Sequence, residues 1–267
     1  MTGGVVDIGW VELACASLFM MVAAVVSWKL ELGQSRRIVV ATVRCFLQLL
    51  AMGLVLKFVF ANQTWWIVCL LVAVMLASAT QIATSRVKNE VPGLRSSVFI
   101  SLTTSSLAVA AVVVEGVLHA DPWYNATQAV PLCGMIISNA MTAIAVAVDR
   151  LFADMDARSD EMFTLVALGA TPYEAAKPSL VASIGAGLTP LLASMSAAGI
   201  VALPGMMSGQ ILAGADPLVA AKYQVVVLLM ISAANVAAIV LACFLLYRRR
   251  FARDGYYLEP GLRSSKS

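Results

Sequence analysis

The sequence contains little charge and lacks the motifs that most soluble enzymes carry. Only 12% of its 267 residues are charged, whereas 61% are hydrophobic and the mean hydropathy is +0.89. A soluble domain of this size does not need so apolar a chain, so the composition indicates a polytopic membrane protein. We therefore expect the chain to be surrounded by a lipid bilayer and to have no nucleic-acid partner.

Catalytic and nucleotide-binding motifs are also missing from the sequence. No GxxxxGK[ST] phosphate-binding loop occurs, so any ATP hydrolysis, with its magnesium ion, must belong to another polypeptide. The single histidine, His119, lies beside Asp121 with no nucleophile or set of metal ligands around it. The five cysteines fall in apolar segments and have no spacing suited to zinc. We predict neither a catalytic residue nor a bound cofactor in this chain.

Seven apolar runs of about 20 residues, the length that crosses a bilayer, occupy most of the chain. They cover residues 8–30, 38–60, 65–83, 98–118, 128–148, 179–203 and 222–247. We therefore predict an all-α integral membrane protein with a single polytopic domain over residues 1–247. A basic tail follows at 248–267.

The basic residues fall mainly on one side of the predicted spans. All 18 of them except Arg44, Lys57 and Lys222 lie in alternate connections or in the tail. Because positively charged connections stay in the cytoplasm, we place the N-terminus outside and the C-terminus in the cytoplasm. The long connection at 149–178 is then cytoplasmic, and we expect the protein in the inner (plasma) membrane.

The cytoplasmic connection contains the signals that end one helix and start another. Gly169 can adopt the left-handed conformation that closes a helix. Thr171, Pro172 and Glu174 would occupy the N-cap, first and third positions of the next helix, which is the pattern of a capping box. The pattern predicts that a new helix starts at Pro172.

Proline at position 178 should limit the length of that new helix. Its ring would clash with the carbonyl of Glu174, so we expect it to break or restart the helix. This predicts a short helix, Pro172 to Lys177, between spans five and six. Span six then carries small residues at four-residue intervals, Ser179, Ser183 and Gly187, on a face where helix backbones can approach closely.

Polar side chains inside the spans are candidates for a translocation path, because they are costly in hydrocarbon. Arg44 and Gln48 lie four residues apart on one helical face, and so do Met135 and Asn139. Arg44 could instead reach the cytoplasmic interface by snorkelling. Asn139 could instead form an interhelical hydrogen bond.

The segment 204–217 is too short and too rich in glycine for another span, yet it is apolar. It fits a re-entrant or membrane-capping hairpin on the outer side. Met206, Met207 and Gln210 are its candidate path residues. Thioethers prefer soft ions such as Cu(I), but methionines in apolar chains are more often packing residues, so the sequence leaves the metal ligands unknown.

Four segments together carry a family resemblance. They are RCFLQLLAMGLVL (44–56), GMIISNAM (134–141), ALGATPYEA (167–175) and LPGMMSGQILAGADPLVAAKYQ (203–224). This set resembles the FetB-type permease family, the bacterial iron-export permeases related to the plant aluminium-sensitivity proteins. LGATPYEAAKP is also similar to the cytoplasmic coupling motif of ABC transporter permeases. The usual motif opens with a glutamate upstream of this segment. The residue at that position in this chain is Phe163, and Glu161 lies two residues earlier.

The resemblance implies a permease subunit that exports iron or another metal ion and is driven by a separate ATP-binding subunit. The residues implied in coupling to that subunit are Glu161, Gly169, Thr171, Pro172, Glu174 and Lys177. Because two cooperating nucleotide sites need two such contacts, we expect a homodimer of this chain. A non-metal cargo such as a nucleotide sugar stays open, as does an ATP-independent secondary transporter or channel.

Overall fold

The computed structural model describes residues 9–62, 64–87, 91–116 and 125–251, and within them the chain is almost entirely helical. Seven of the helices are long and apolar enough to cross a membrane, which confirms the predicted all-α class and number of spans. His119, Asp121 and the tail beyond residue 251 lie outside the described residues. The helices are α1 Trp10–Lys29, α2 Ser35–Asn62, α3 Trp65–Ser85, α4 Leu94–Gly116, α5 Ala126–Ala157, α6 Ser159–Ala167, α7 Pro172–Ala197, α8 Gly205–Leu212 and α9 Pro217–Tyr247.

Helix α5 is the centre of the bundle and packs against α3, α4, α7 and α9. Ala143 and Ala147 of α5 are buried, as are Ala234 and Ala238 of α9. Small side chains let helix backbones approach, and in a bilayer such close packing takes the place of the hydrophobic driving force. The core of the molecule therefore lies around α5 and α9.

Helix α7 lies on α5 through the small-residue face predicted from the sequence. Ser179 and Ser183 are buried. A Cβ added at Gly187 would lie 2.9 Å from the Cβ of Ala147 and 3.0 Å from the carbonyl oxygen of Ala143. Glycine is therefore required where the two helices cross, and the predicted packing face is confirmed.

The predicted short helix between spans five and six exists, but its predicted position is wrong. The short helix is α6, Ser159–Ala167, whereas Pro172 to Lys177 form the first turns of α7, which continues through Pro178 and Pro190 to Ala197. Burial of Ala175, Ala176 and Leu180 in the core holds this helix together past Pro178, because tertiary packing outweighs a local propensity. Neighbouring helices also allow proline within a membrane helix.

The same turn joins α6 to α7 and α8 to α9. Residues 169–177 read GATPYEAAK and residues 214–222 read GADPLVAAK. In both turns the glycine has a positive φ, +96° and +94°, and the paired hydrogen bonds of a Schellman motif close the preceding helix. The third residue then caps the next helix, and the proline occupies its first position.

The two turns lie at opposite ends of the bundle. Tyr173, in the first turn of α7, stacks on Phe244 near the end of α9, with ring centroids 6.0 Å apart. Helices α7 and α9 are therefore antiparallel, so the start of one lies at the end of the other. The charge pattern of the sequence assigns the end with the turn at 169–172 to the cytoplasm, and the turn at 214–217 lies at the opposite end.

Arginines at the end of α9 join it to two other connections. Arg249 donates to the carbonyl oxygen of Pro92 and to Ser97 Oγ, both at 3.2 Å. Arg250 is only 1% exposed, pairs with Asp156 of α5 at 3.0 Å and lies 4.8 Å from the ring centroid of Phe152. The α3–α4 connection, the end of α5 and the end of α9 therefore share one end of the bundle, as the predicted alternation of spans requires.

Helices α1 and α2 form a hairpin at the edge of the bundle. Helix α1 packs against α2, and α2 contacts α5. Along the middle of α2 the side chains are not buried within the described part of the chain. Most of the apolar side chains of this hairpin are therefore not covered by the rest of the described chain.

Candidate functional site

The turn between α6 and α7 has the capping geometry predicted from the sequence. The backbone N–H of Glu174 donates to Thr171 Oγ1 at 3.3 Å, and the backbone N–H of Thr171 donates to Glu174 Oε2 at 2.8 Å. Pro172 is the first residue of α7, and Gly169 takes the positive φ that ends α6. The capping box is confirmed, and it fixes the direction in which α7 leaves the turn.

Arg158 links α6 to both of the neighbouring spans. Its Nε donates to Glu161 Oε2 at 2.8 Å, and its Nη1 donates to Ser179 Oγ of α7 at 3.2 Å. The Asp154 carboxylate of α5 lies 3.8 Å away. The hydrogen bond from Arg158 lowers the pKa of the Glu161 carboxyl, and the same bond raises the pKa of Arg158. Both groups are therefore charged at neutral pH, and α6 is tied to α5 and α7.

Two large apolar side chains project from α6 and its end. Phe163 is 57% exposed and Leu168 is 80% exposed, whereas Met162 between the spans is completely buried and anchors the helix. Both lie in the connection between the candidate spans that end at Ala157 and begin at Pro172, where exposed apolar side chains are candidates for an interaction site. We call Glu161, Phe163, Leu168 and the exposed Lys177 the coupling surface.

A cavity of about 300 Å³ lies among α5, α7, α8 and α9. Gly187, Pro190 and Leu191 of α7 form part of its wall. The side chains in its lining that carry polar or sulfur atoms are Met135, Asn139, Thr142, Ser194, Met206, Gln224 and Asn235. No charged side chain occurs in that lining, all of which belongs to the described part of the chain.

Amide groups in this cavity wall have unused hydrogen-bonding capacity. Asn235 is 2% exposed and Gln224 is 7% exposed, and the carbonyl oxygen of neither has a hydrogen-bond partner among the described residues. Asn139 donates its Nδ2 to the carbonyl oxygen of Met135 at 2.8 Å, which orients its own amide oxygen away from that bond. A buried amide oxygen without a partner costs about 1–3 kcal/mol, so we expect a water molecule or a ligand in the cavity to satisfy these groups.

A second cavity of about 340 Å³, which we call the outer cavity, lies nearer the turn between α8 and α9, and the first is called the inner cavity. Gln210 and Tyr223 are part of its lining, and Gln210 Oε1 is buried without a partner among the described residues. Met206 and Val227 line both cavities. The side chain of Met206, on the short helix α8, therefore stands between the inner and the outer cavity.

The structure brings together some of the predicted path residues and leaves others apart. Met135, Asn139 and Met206 line the inner cavity, and Gln210 lines the outer one. Met207 lines neither of these two cavities. Arg44 and Gln48 are exposed on α2 and also line neither cavity, so their role stays a prediction.

Gln224 and Asn235 line the inner cavity but were not among the path residues predicted from the sequence. They lie eleven residues apart, which is three helical turns, and therefore on one face of α9. Two amide side chains on one face of an otherwise apolar span indicate that this face points to the interior of the bundle or to a polar cavity, because each amide is costly in lipid. Their convergence with Asn139 depends on the packing of α5 against α9, which single-helix periodicity does not show.

The fold and the cavities define a multi-pass α-helical membrane protein with an uncharged polar cavity among its spans. The family model described as Uncharacterised protein family (UPF0014) matches residues 10–251. The chain belongs to this family. No solved structure matches the chain.

Curated relatives of the chain are found in bacteria and in plants. The Probable iron export permease protein FetB of Escherichia coli is 33% identical over 239 residues, which are 89% of this chain and 90% of that protein. UPF0014 membrane protein YjkA of Bacillus subtilis is 32% identical, over 89% of this chain and 92% of its own length. Protein ALUMINUM SENSITIVE 3 of Arabidopsis thaliana is 32% identical, over 86% of this chain and 84% of its own length. The resemblance read from the sequence is confirmed.

Proposed function

We propose that the chain is the membrane-spanning subunit of an ABC transporter that exports a metal ion, driven by a separate ATP-binding subunit. The observation that carries the proposal is the coupling surface, where Phe163 and Leu168 are exposed on a helix held to two spans. The name of the Escherichia coli relative, Probable iron export permease protein FetB, supports iron as the metal.

Helix α7 is suited to transmit movement from the coupling surface to the inner cavity. It starts at the capped turn beside α6, and Arg158 contacts it at Ser179. Further along, Gly187 and Pro190 of the same helix line the cavity. When the ATP-binding subunits close on ATP, a displacement of α6 would move one continuous helix and change the shape of the cavity.

A second copy of the chain is part of this proposal. Asn139, Thr142 and Ser194 line the cavity and are also exposed at the surface of the single chain. An exposed amide in the middle of a span is costly in lipid and normally faces protein or water. We infer that this open side of the cavity faces the second copy, so that two coupling surfaces serve two ATP-binding subunits.

The composition of the inner cavity argues against two alternatives to metal transport. A nucleotide sugar carries phosphates that need cationic partners, and the described cavity lining contains no arginine or lysine. A proton-coupled secondary transporter needs a titratable group in its path, and no carboxylate occurs in that lining.

Replacing Leu168 by glutamate tests the docking step, because a charge on the coupling surface should prevent an apolar contact. Leu168→Glu should abolish co-purification of an ATP-binding subunit, measured as ATPase activity eluted with the tagged chain. Leu212→Glu is the matched control: it lies at the end of the other short helix, α8, and is also exposed. The control should keep the ATPase activity. Equal retention of activity by both variants would contradict the proposed docking surface.

A further inference from the structure

Three aromatic rings meet where the first turn of α7 lies beside the end of α9. Tyr173 stacks on Phe244, and Tyr247 contacts both rings edge-on, with centroids 6.4 Å from Tyr173 and 5.8 Å from Phe244. Stacked and edge-to-face arrangements are the favourable geometries of aromatic pairs. Because Tyr173 and Phe244 are also exposed, α7 and α9 share an aromatic wall at the surface of the bundle.

A cavity of about 590 Å³ opens beside this aromatic wall. Its lining consists of Tyr173, Phe244, Leu245, Tyr247 and Arg248. The volume lies within the range of ligand pockets, which is about 300–1,000 Å³. The lining therefore combines apolar and aromatic surface with one cationic side chain and two phenol hydroxyls.

Arg248 differs from the two arginines that follow it. Arg249 donates to the connection between α3 and α4, and Arg250 pairs with Asp156. The Arg248 side chain is exposed and makes neither an ion pair nor a hydrogen bond with a described residue. A guanidinium that the chain itself does not engage can bind an anionic group from outside, because arginine recognises phosphates through charge-assisted hydrogen bonds.

The cavity lies at the end of the bundle that the charge pattern of the sequence assigns to the cytoplasm. Tyr173 is the second residue of α7, and Arg248 directly follows α9, so both stand at the end of a candidate span. Tyrosine rings are enriched at the interface between membrane and water. The cytoplasmic leaflet carries anionic lipids, which attract basic residues next to a span. We therefore expect the cavity at the depth of the phospholipid headgroups.

Apolar faces of both helices lead from the cavity towards the middle of the span. On α9, Val236 precedes Phe244 by eight residues and Leu229 precedes Val236 by seven, which places all three on one helical face. On α7, Val181 follows Tyr173 by eight residues and shares its face in the same way. All of these side chains are exposed. The surface can therefore be covered by acyl chains whose headgroup lies at the cavity.

We propose that this cavity binds an anionic phospholipid of the cytoplasmic leaflet. Its phosphate contacts the Arg248 guanidinium and the phenol hydroxyls of Tyr173 and Tyr247, all of which can donate hydrogen bonds to phosphate oxygens. Its acyl chains lie on the apolar faces of α7 and α9. The acidic neighbour Glu174 keeps its Oε2 in the capping box, where the backbone N–H and the hydroxyl of Thr171 both donate to it at 2.8 Å.

A lipid in this position contacts the start of α7 and the end of α9 together. Because it binds to the arrangement of the two helices in which Tyr173 stacks on Phe244, it stabilises that arrangement. Lipid binding here requires neither a cargo nor an ATP-binding subunit.

The experiment uses the purified full chain in detergent, and native mass spectrometry measures the lipid bound to it. Phosphatidylglycerol and phosphatidylcholine with identical acyl chains are titrated separately, and inorganic phosphate is added as a competitor. We expect saturable binding of phosphatidylglycerol that is tighter than that of phosphatidylcholine. Inorganic phosphate at the same concentration should not displace the lipid, because it lacks the acyl chains that supply most of the apolar contact.

Substitutions of the arginine assign the binding to the cavity. Arg248→Gln removes the cation, and we expect about a fivefold loss of affinity for phosphatidylglycerol with no change for phosphatidylcholine. Arg248→Lys keeps the charge and should restore most of the binding. Arg36→Gln is the matched control, since Arg36 is exposed at the start of α2, is also predicted to lie in a cytoplasmic connection and does not line the cavity. The control should bind as the unchanged chain does.

A second pair of variants tests the aromatic wall. Tyr173→Leu removes a ring and a hydroxyl from the cavity, and we expect a severalfold loss of affinity for phosphatidylglycerol. Phe99→Leu is its control, because Phe99 of α4 is similarly exposed and does not line this cavity. The thermal unfolding midpoint without added lipid is measured for every variant. If Arg248→Gln lowers this midpoint, the comparison of Tyr173→Leu with Phe99→Leu decides the question.

Three results would each contradict the lipid site. They are equal affinity for phosphatidylglycerol and phosphatidylcholine, equal affinities of each variant and its control for phosphatidylglycerol, and displacement of the lipid by inorganic phosphate. The last result would show a site for a free anion in place of a lipid. None of these measurements involves ATP or a metal, so failure of the lipid site would leave the proposed transport function unchanged.

Discussion

At the scale of the residue, Gly169 decides how α6 and α7 are joined. Its φ of +96° lies in the left-handed region, and both bonds of the Schellman motif depend on it. An added Cβ would meet nothing within 4 Å, so the requirement for glycine comes from the backbone alone. The sequence made this position predictable, because a glycine followed by a capping box is a local signal that needs no tertiary information.

Substituting Gly169 should therefore loosen the link between the coupling surface and α7. A side chain in this conformation costs about 1–2 kcal/mol. In Gly169→Ala we expect ATP hydrolysis by the complex to continue while metal-stimulated turnover falls severalfold. Gly185→Ala is the control, because Gly185 lies within α7 with an ordinary helical backbone and open space around it. The ratio of metal-stimulated to basal ATPase activity is the measurement, and an equal ratio in both variants would contradict the role of the turn.

At the scale of the element, α7 shows what sequence reasoning could and could not provide. Its capped start and its small-residue face were predicted correctly, since both are local patterns. Its continuity through Pro178 was not predicted. The helix continues through Pro178 because Ala175, Ala176 and Leu180 are buried against other helices. The expectation of a break was based on the proline alone, and the sequence around it does not show which helices pack there.

The closest contact of α7 offers a test of its role as the transmitting element. In Gly187→Ala the new Cβ would lie 2.9 Å from Ala147 and 3.0 Å from the backbone of Ala143, so α7 must shift away from α5. Overpacking of this kind costs about 1–3 kcal/mol. We expect a lower thermal unfolding midpoint and impaired transport, whereas Gly185→Ala, two residues earlier, should leave both unchanged. A Gly187→Ala protein with the unfolding midpoint and transport rate of the unchanged chain would contradict the close crossing.

At the scale of the whole molecule, the bundle has a central part and a loosely attached edge. Helices α3, α4, α5, α7 and α9 share the core, while α1 and α2 form a hairpin whose apolar surface is mostly exposed. The inner cavity opens on the surface formed by α5 and α7, where Asn139, Thr142 and Ser194 are exposed. The number of spans followed directly from apolar run length, but the position of the cavity did not, because it arises from side chains on four different helices.

The open side of the cavity predicts which residues of two copies approach each other. Asn139→Cys, introduced after replacement of the five native cysteines, should form an oxidant-induced cross-link between two chains in native membranes. Disulfide formation needs Cα atoms within about 7 Å, which only residues near the axis of the dimer satisfy. Val74→Cys is the control, since it is exposed on α3 and does not line the inner cavity. Cross-linking at Val74 and not at Asn139 would place the second copy on a different face.

The turn that occurs twice has a consequence for how this family is recognised. A search for the coupling signature by its core, Gly-Ala-x-Pro followed by Ala-Ala-Lys, finds two matches in this chain, at 169–177 and 214–222. The core specifies only how one helix stops and the next begins, so it says nothing about which side of the membrane it occupies. The distinguishing information lies upstream of each glycine. Phe163 and Leu168 precede the first copy and are exposed, whereas Met206 precedes the second copy and lines the cavities.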